Sequence, residues 1–217
     1  MKLTIFGASG RTGVHAVRRA LAAGHEVTAV VRDTAALPAD LWDGASRGPA
    51  AVQADVMDPA AIEGAVKGRD AVITAIGSRE GRRPTTVCAD STRAILAAMR
   101  ATGAERFLLT SAAGLHAGPG DDPLTRYVAK PLVLQRILRH AFADMRAAED
   151  AVRASGLAWT IVRPPRLTDG AGKGRYRSAV DRNVRGGLSI ARADLAVALI
   201  DLAADPDSAG HVVSVAG

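Results

Sequence analysis

A single cysteine, Cys88, stands among the 217 residues, which excludes an internal disulfide and a structural zinc site built on thiolates. Phe, Trp and Tyr together make up 3% of the chain. That is too few to interleave stacking platforms among the basic residues, and no helix-turn-helix, zinc-finger or RNP pattern occurs. No apolar run approaches the roughly 20 residues that a membrane span requires. A secretory leader is not expected either: Lys2 is followed by only a few apolar residues before Gly7 and Arg11 interrupt them, so the first residues read as a strand. These absences describe a soluble, cytoplasmic domain with no metal, no nucleic acid and no membrane among its partners.

What remains is the composition of one globular domain. Hydrophobic residues account for 48% and charged residues for 23%, with a formal net charge of +6. Much of the basic excess lies in the second half, from Arg126 to Arg192. It reads as a solvated arginine-rich surface, or as an anion-friendly mouth for a small-molecule substrate.

Short β-branched runs alternate with longer helical stretches. Strands are expected at Leu3–Phe6, Glu26–Val31, Ala50–Gln53, Asp70–Ala75, Arg106–Thr110, Ala158–Val162 and Val212–Val215. Helices are expected at Val14–Ala23, from the Asp58-Pro59 cap to about Lys67, at Thr85–Ala101, Asp144–Ala154 and Arg192–Ala203. Such alternation implies parallel pairing with right-handed crossovers, hence an α/β, Rossmann-like doubly wound parallel sheet spanning residues 1–217 as a single domain. Residues 38–49 read as a surface excursion. Residues 112–143 read as an inserted loop-helix region on the substrate side, with an apolar, basic helix at about Leu132–His140.

The strongest local signal is Gly7-Ala8-Ser9-Gly10-Arg11-Thr12-Gly13, directly after the first strand and opening the first helix. Glycines permit the tight turn, the close approach of backbone to a pyrophosphate and close helix–strand packing. The helix N-terminus offers N–H groups and partial positive charge to the phosphates. A dinucleotide is the ligand this pattern implies. At the tip of the second strand stands Arg32, with Asp33 only after it. A guanidinium there suits a 2′-phosphate, which favours NADPH over NADH. Asp55 follows the third strand, and because Asp58 is the better helix cap, its carboxylate is available to an adenine amino group. Small residues at Ala75-Ile76-Gly77-Ser78, after the fourth strand, would let backbone approach the cofactor.

These residues, with Pro84-Thr85-Thr86-Val87, Thr110-Ser111-Ala112 and the run from Ser155-Gly156-Leu157 to Pro164-Pro165, give the chain its resemblance to a known group. It resembles the atypical short-chain dehydrogenase/reductases with an NAD(P)H-binding, NmrA-like core, in the branch that reduces flavins and biliverdin. The resemblance implies that Gly7, Ser9, Gly10, Arg11, Thr12 and Gly13 hold the pyrophosphate and Arg32 the 2′-phosphate. It places Asp55 and Val56 at the adenine, and Ile76, Gly77 and Ser78 near the inner ribose. Thr110 and Ser111 would flank the nicotinamide, with Ser111 beside the reacting carbons, and Pro164 and Pro165 would close its far side. Arg166 stands where the related reductases carry a histidine.

The Tyr-x-x-x-Lys pair of the commoner short-chain dehydrogenases is missing: Tyr127 and Lys130 are one residue too close, and Pro131 disfavours helical geometry at Lys130. Tyr127, Lys130 and Arg166 are instead expected as contacts for an acidic substrate. Without a positioned acid, hydride delivery fits conjugated acceptors such as a flavin, quinone or tetrapyrrole, which spread the incoming charge and take their proton from water. An NmrA-like sensor of NADP(H), acting through a protein partner, is the alternative. A sugar-nucleotide epimerase would depend on the missing pair. Monomer and homodimer are both compatible with the open edges of such a sheet.

Overall fold

The computed structural model describes residues 1–42, 48–78, 83–121 and 138–217. Strand β1 (Lys2–Phe6) leads through the glycine loop into α1 (Arg11–Ala22) and on to β2 (Glu26–Val31). Next come β3 (Ala50–Gln53), α2 (Pro59–Val66), β4 (Ala71–Thr74), α3 (Val87–Thr102) and β5 (Arg106–Thr110). The second half holds α4 (Arg139–Arg153), β6 (Ala158–Arg163), β7 (Arg166–Thr168), β8 (Arg177–Val180), β9 (Ser189–Ala191), α5 (Arg192–Ala204) and β10 (His211–Ala216).

Eight strands form one sheet in the order β3-β2-β1-β4-β5-β6-β10-β8. Every pairing is parallel except that of β8, which runs antiparallel to β10. The chain leaves β1 towards β2 and β3 on one side and returns through β4 to the other, so the direction of winding reverses between β1 and β4. This is the doubly wound Rossmann architecture, and that reversal opens a crevice at the strand C-termini.

Burial on both faces explains why the central strands read as continuous apolar runs. Leu3 and Ile5 of β1 pack against Ala16, Val17 and Ala20 of α1 and Leu195 and Leu199 of α5. Phe6 of the same strand faces the other layer, with Ile62 of α2, Ile95 and Met99 of α3 and Val152 of α4. The one polar residue inside β1, Thr4, is fully buried and donates to the Ala65 carbonyl at 2.5 Å. Its hydroxyl thereby meets one of the orphan carbonyls at the end of α2.

Four local expectations are revised. Helix α1 begins at Arg11 rather than Val14, because the last residues of the glycine loop already adopt helical geometry. Helix α4 begins at Arg139, so Asp144 lies inside it instead of starting it, and His140 belongs to its first turn. Residues 132–137 of the helix expected there lie outside the described residues. The excursion at 38–49 contributes to the core, since Leu41 is buried in a 3₁₀ turn (Ala39–Leu41) beneath the α1 face. Strands β7, β8 and β9 were not expected; they are short and sit in a Gly- and Arg-rich segment.

Candidate functional site

Because β3, β2, β1, β4, β5 and β6 are parallel neighbours, the residues that follow each of them emerge along one edge of the sheet. That edge carries Asp55 and Val56 after β3, Arg32 after β2, and the glycine loop after β1. It continues with Ile76, Gly77 and Ser78 after β4, Thr110 and Ser111 at the end of β5, and Pro164, Pro165 and Arg166 after β6. At about 4.8 Å between strands, the row from β3 to β6 runs roughly 24 Å. Every predicted cofactor residue therefore lies on one edge. Tyr127 and Lys130 lie outside the described residues.

The glycine loop is tight for identifiable reasons. Gly10 N–H donates to the Gly7 carbonyl at 2.9 Å, and Gly10 then serves as N-cap of α1. Gly7 has φ of 72° and faces Ala75 and Ile76 across the crevice; a Cβ there would lie 3.1 Å from both. At Gly13 a Cβ would sit 2.1 Å from the Gly7 carbonyl oxygen. Only a bare backbone brings the start of α1 this close to the end of β1, and the space left is a cradle that side chains would fill.

Among the described residues, no side chain caps the N-terminus of α1, and its first turn holds no acidic residue. The contrast with α3 is informative. There the buried Asp144 of α4 accepts from the backbone N–H of Cys88 at 3.0 Å and of Ala89 at 2.8 Å, closing that helix end with an internal carboxylate. With no such carboxylate at its start, helix α1 can offer its first N–H groups and its partial positive charge to an anion. Arg11, exposed on its first turn, is ion-paired with Asp169 after β7, which also accepts from Arg192 at 2.5 Å.

At the tip of β2, Asp33 spends its Oδ1 on the Ala35 N–H at 2.9 Å, capping a 3₁₀ turn (Thr34–Ala36). Arg32 is exposed and forms no ion pair among the described residues. Asp55 is less available than the sequence implies, because its Oδ1 accepts from Met57 N–H at 2.9 Å. Cys88 is buried at the start of α3, with its Sγ 3.9 Å from the Ile76 carbonyl. Burial first, and then the neighbouring Asp144 carboxylate, push its thiol up to about 12. Such a thiol is not a nucleophile at neutral pH.

The end of β5 holds a buried polar cluster built around one carboxylate. Ser111 is buried; its backbone N–H donates to Val162, and its hydroxyl donates to Glu149 Oε1 at 2.6 Å. The Glu149 side chain, from α4, is wholly buried. It also accepts from Arg163 Nε at 2.8 Å and Nη2 at 2.5 Å, and from Arg153 Nη2 at 2.8 Å. His116 Nε2 lies 3.8 Å from the same carboxylate. Burial alone would raise the Glu149 pKa. The contacts from His116, Arg163 and Ser111, with the Arg163 charge, outweigh it and hold the carboxyl well below the usual range. Beside Ser111, the Thr110 hydroxyl is buried with no hydrogen-bond partner among the described residues.

Sequence reasoning passes over Glu149, yet a signal for it exists. Phe142, Met145, Glu149 and Val152 recur at the spacing of one helical face. A lone carboxylate on such an apolar stripe needs a buried partner.

Among the described residues, no group of three or more His, Cys, Asp or Glu is placed to hold a metal ion. No helix among them is long and apolar enough to cross a membrane.

Comparison with known proteins agrees with this geometry. A short-chain dehydrogenase/reductase of Veillonella parvula, solved in complex with NADP, superposes with a TM-score of 0.77 at 20% identity, covering 100% of this chain and 94% of that one. The anaerobillin reductase ChuY of Escherichia coli gives 0.77 at 22% identity, over 100% and 97% of the two chains. A candidate NADH-flavin reductase of Streptococcus pneumoniae gives 0.76 at 25% identity, over 100% and 99%. The profile of the family described as NAD(P)H-binding matches residues 7–206, from the first glycine of the loop to two residues past α5. With nearly the whole chain so matched, the protein belongs to the NAD(P)H-binding family.

Proposed function

We propose that the protein is an NADPH-dependent reductase of conjugated acceptors, with a flavin, quinone or tetrapyrrole as the substrate class. The cradle at Gly7, Gly10 and Gly13 and the uncapped start of α1 fit a pyrophosphate, with Ser9, Arg11 and Thr12 around it. Ile76, Gly77 and Ser78 face the loop from β4, Val56 and Asp55 take the adenine end, and Pro164 and Pro165 the nicotinamide end. When bound, the nicotinamide supplies a hydride, and the acceptor takes that hydride together with one proton from water.

The observation that carries the acceptor class is the hydroxyl of Ser111. Its proton is committed to Glu149, which is ionised and saturated with donors. A simple ketone would need an acid at this point, whereas a conjugated acceptor spreads the charge and does not. Two of the compared proteins, an anaerobillin reductase and a candidate NADH-flavin reductase, support this class.

Steady-state NADPH oxidation against FMN, riboflavin, a quinone and biliverdin tests the reading. Turnover of at least one acceptor is expected, lowered by Ser111→Ala. Tight NADPH binding with no turnover across the panel would replace it with the sensor reading, and the search would move to a protein partner.

The preference for NADPH rests on Arg32, whose neighbour Asp33 is tied up in a cap instead of facing a ribose hydroxyl. A bidentate guanidinium–phosphate contact contributes about 1.5–3 kcal/mol, so Arg32→Ala is expected to weaken NADPH binding roughly ten- to hundred-fold and leave NADH binding nearly unchanged. Equal losses for the two cofactors, measured by titration, would remove Arg32 from the 2′-phosphate.

A further inference from the structure

We infer that Glu149 is a positioning residue: it takes the Ser111 proton and so turns Ser111 into a hydrogen-bond acceptor for the carboxamide N–H of the bound nicotinamide. The inference rests on the proposed placement of the nicotinamide at the end of β5.

A serine hydroxyl has one proton and two lone pairs, and an ionised carboxylate only accepts. At 2.6 Å from Glu149 Oε1, the Ser111 proton has one destination. Glu149 is in turn filled: Oε1 receives Ser111 and Arg163 Nε, while Oε2 receives Arg163 Nη2 and Arg153 Nη2. Four donors match the roughly four lone-pair directions of a carboxylate. The carboxylate is fully buried, and its partners come from three separate elements: the end of β5, the end of β6 and α4 itself. It cannot swing away without leaving the largely buried Arg163 unpaired, so the polarity of the Ser111 hydroxyl is fixed by the fold.

A fixed acceptor selects its ligand. The nicotinamide carboxamide presents an N–H₂ group that complements the Ser111 lone pairs. A ligand offering only a carbonyl or ring-nitrogen lone pair at that point would face acceptor against acceptor. Ser111 thus orients the ring that donates hydride and does not protonate the acceptor.

The test compares the affinities of NADPH and of its reduced 3-acetylpyridine analogue, in which a methyl group replaces the carboxamide NH₂. Both are measured by direct titration without turnover. The wild type is expected to bind NADPH roughly three- to ten-fold tighter than the analogue, the scale of one net hydrogen bond. Ser111→Ala is expected to reduce that ratio to about one. Glu149→Gln presents an amide N–H₂ to Ser111, frees the serine proton and is expected to diminish or invert the ratio. Circular dichroism and thermal melting confirm that each variant is folded, and should Glu149→Gln fail to fold, Ser111→Ala decides alone. A wild-type ratio of one, or an unchanged ratio in folded Ser111→Ala, overturns the inference while leaving the cofactor reading intact. Failure of the wild type to bind NADPH at all would overturn both.

Discussion

Gly13→Ala is expected to lose dinucleotide binding, with NADPH affinity falling at least ~100-fold, the equivalent of two charge-assisted hydrogen bonds from the loop and helix start. The added methyl carbon would lie 2.1 Å from the Gly7 carbonyl oxygen and 2.8 Å from the Ala8 Cα, both backbone atoms. No rotamer relieves such a clash. The first turn of α1 must move off the end of β1, and the N–H groups proposed to hold the pyrophosphate move with it. Because α1 also packs Ala16, Val17 and Ala20 into the core, the shift costs stability as well, about 1–3 kcal/mol on the scale of an overpacked site. Gly10→Ala is the control, since a Cβ there meets only the Gly7 oxygen, at 3.0 Å. Titration with NADPH should rank the two losses with Gly13 well ahead. Wild-type affinity and melting temperature in Gly13→Ala would contradict the packing account and the placement of the pyrophosphate together.

The glycine loop between the first strand and the first helix was legible in the sequence because its determinants are local. A strand, a glycine turn and a helix follow one another within residues 1–22, and each glycine serves a backbone contact inside that span. The positions of Arg32 and Ile76 on the same sheet edge are legible for a related reason, since parallel topology brings the residues after each strand to one edge. The polar cluster at the end of β5 is different. Ser111 could be placed from its position at the end of β5, but what its hydroxyl does depends on Glu149, 38 residues further on. Glu149 in turn depends on Arg163 at the end of β6. In sequence, Ala147-Ala148-Glu149-Asp150 is an ordinary acidic stretch of an amphipathic helix. Only the packing of α4 against the sheet tells the buried Glu149 from the exposed Asp150 next to it. Strands β7 to β9 escape notice because three or four residues cannot display a period of two.

Glu149→Ala is expected to be the most destabilising substitution at this cluster. Removing one partner of a buried ion pair costs about 3–5 kcal/mol, largely because the other charge is left buried and unpaired. Here that charge is Arg163, whose side chain is only 12% exposed; Arg153, at 36%, can turn to water and to Asp150. For a domain of this size, a loss near 3 kcal/mol lowers the melting temperature by on the order of 6–12 °C. Removing both charges should restore much of it, so Glu149→Ala combined with Arg163→Met is expected to be more stable than Glu149→Ala alone. The pair also has a pH signature. The Glu149 pKa is depressed in the folded state, so its contribution is complete above the unfolded value of about 4.3 and is lost as pH falls below that, through the acid range. Wild-type stability, followed by denaturant unfolding, should therefore fall steeply below about pH 4, and Glu149→Gln, which has nothing to protonate, should fall less steeply. Parallel acid limbs for the two proteins would mean that the Glu149 pKa is not depressed on folding. The surrounding donors would then not hold Glu149 as a carboxylate, and the assignment of the Ser111 proton to it, on which the case for acceptors that need no protein acid rests, would lose its support.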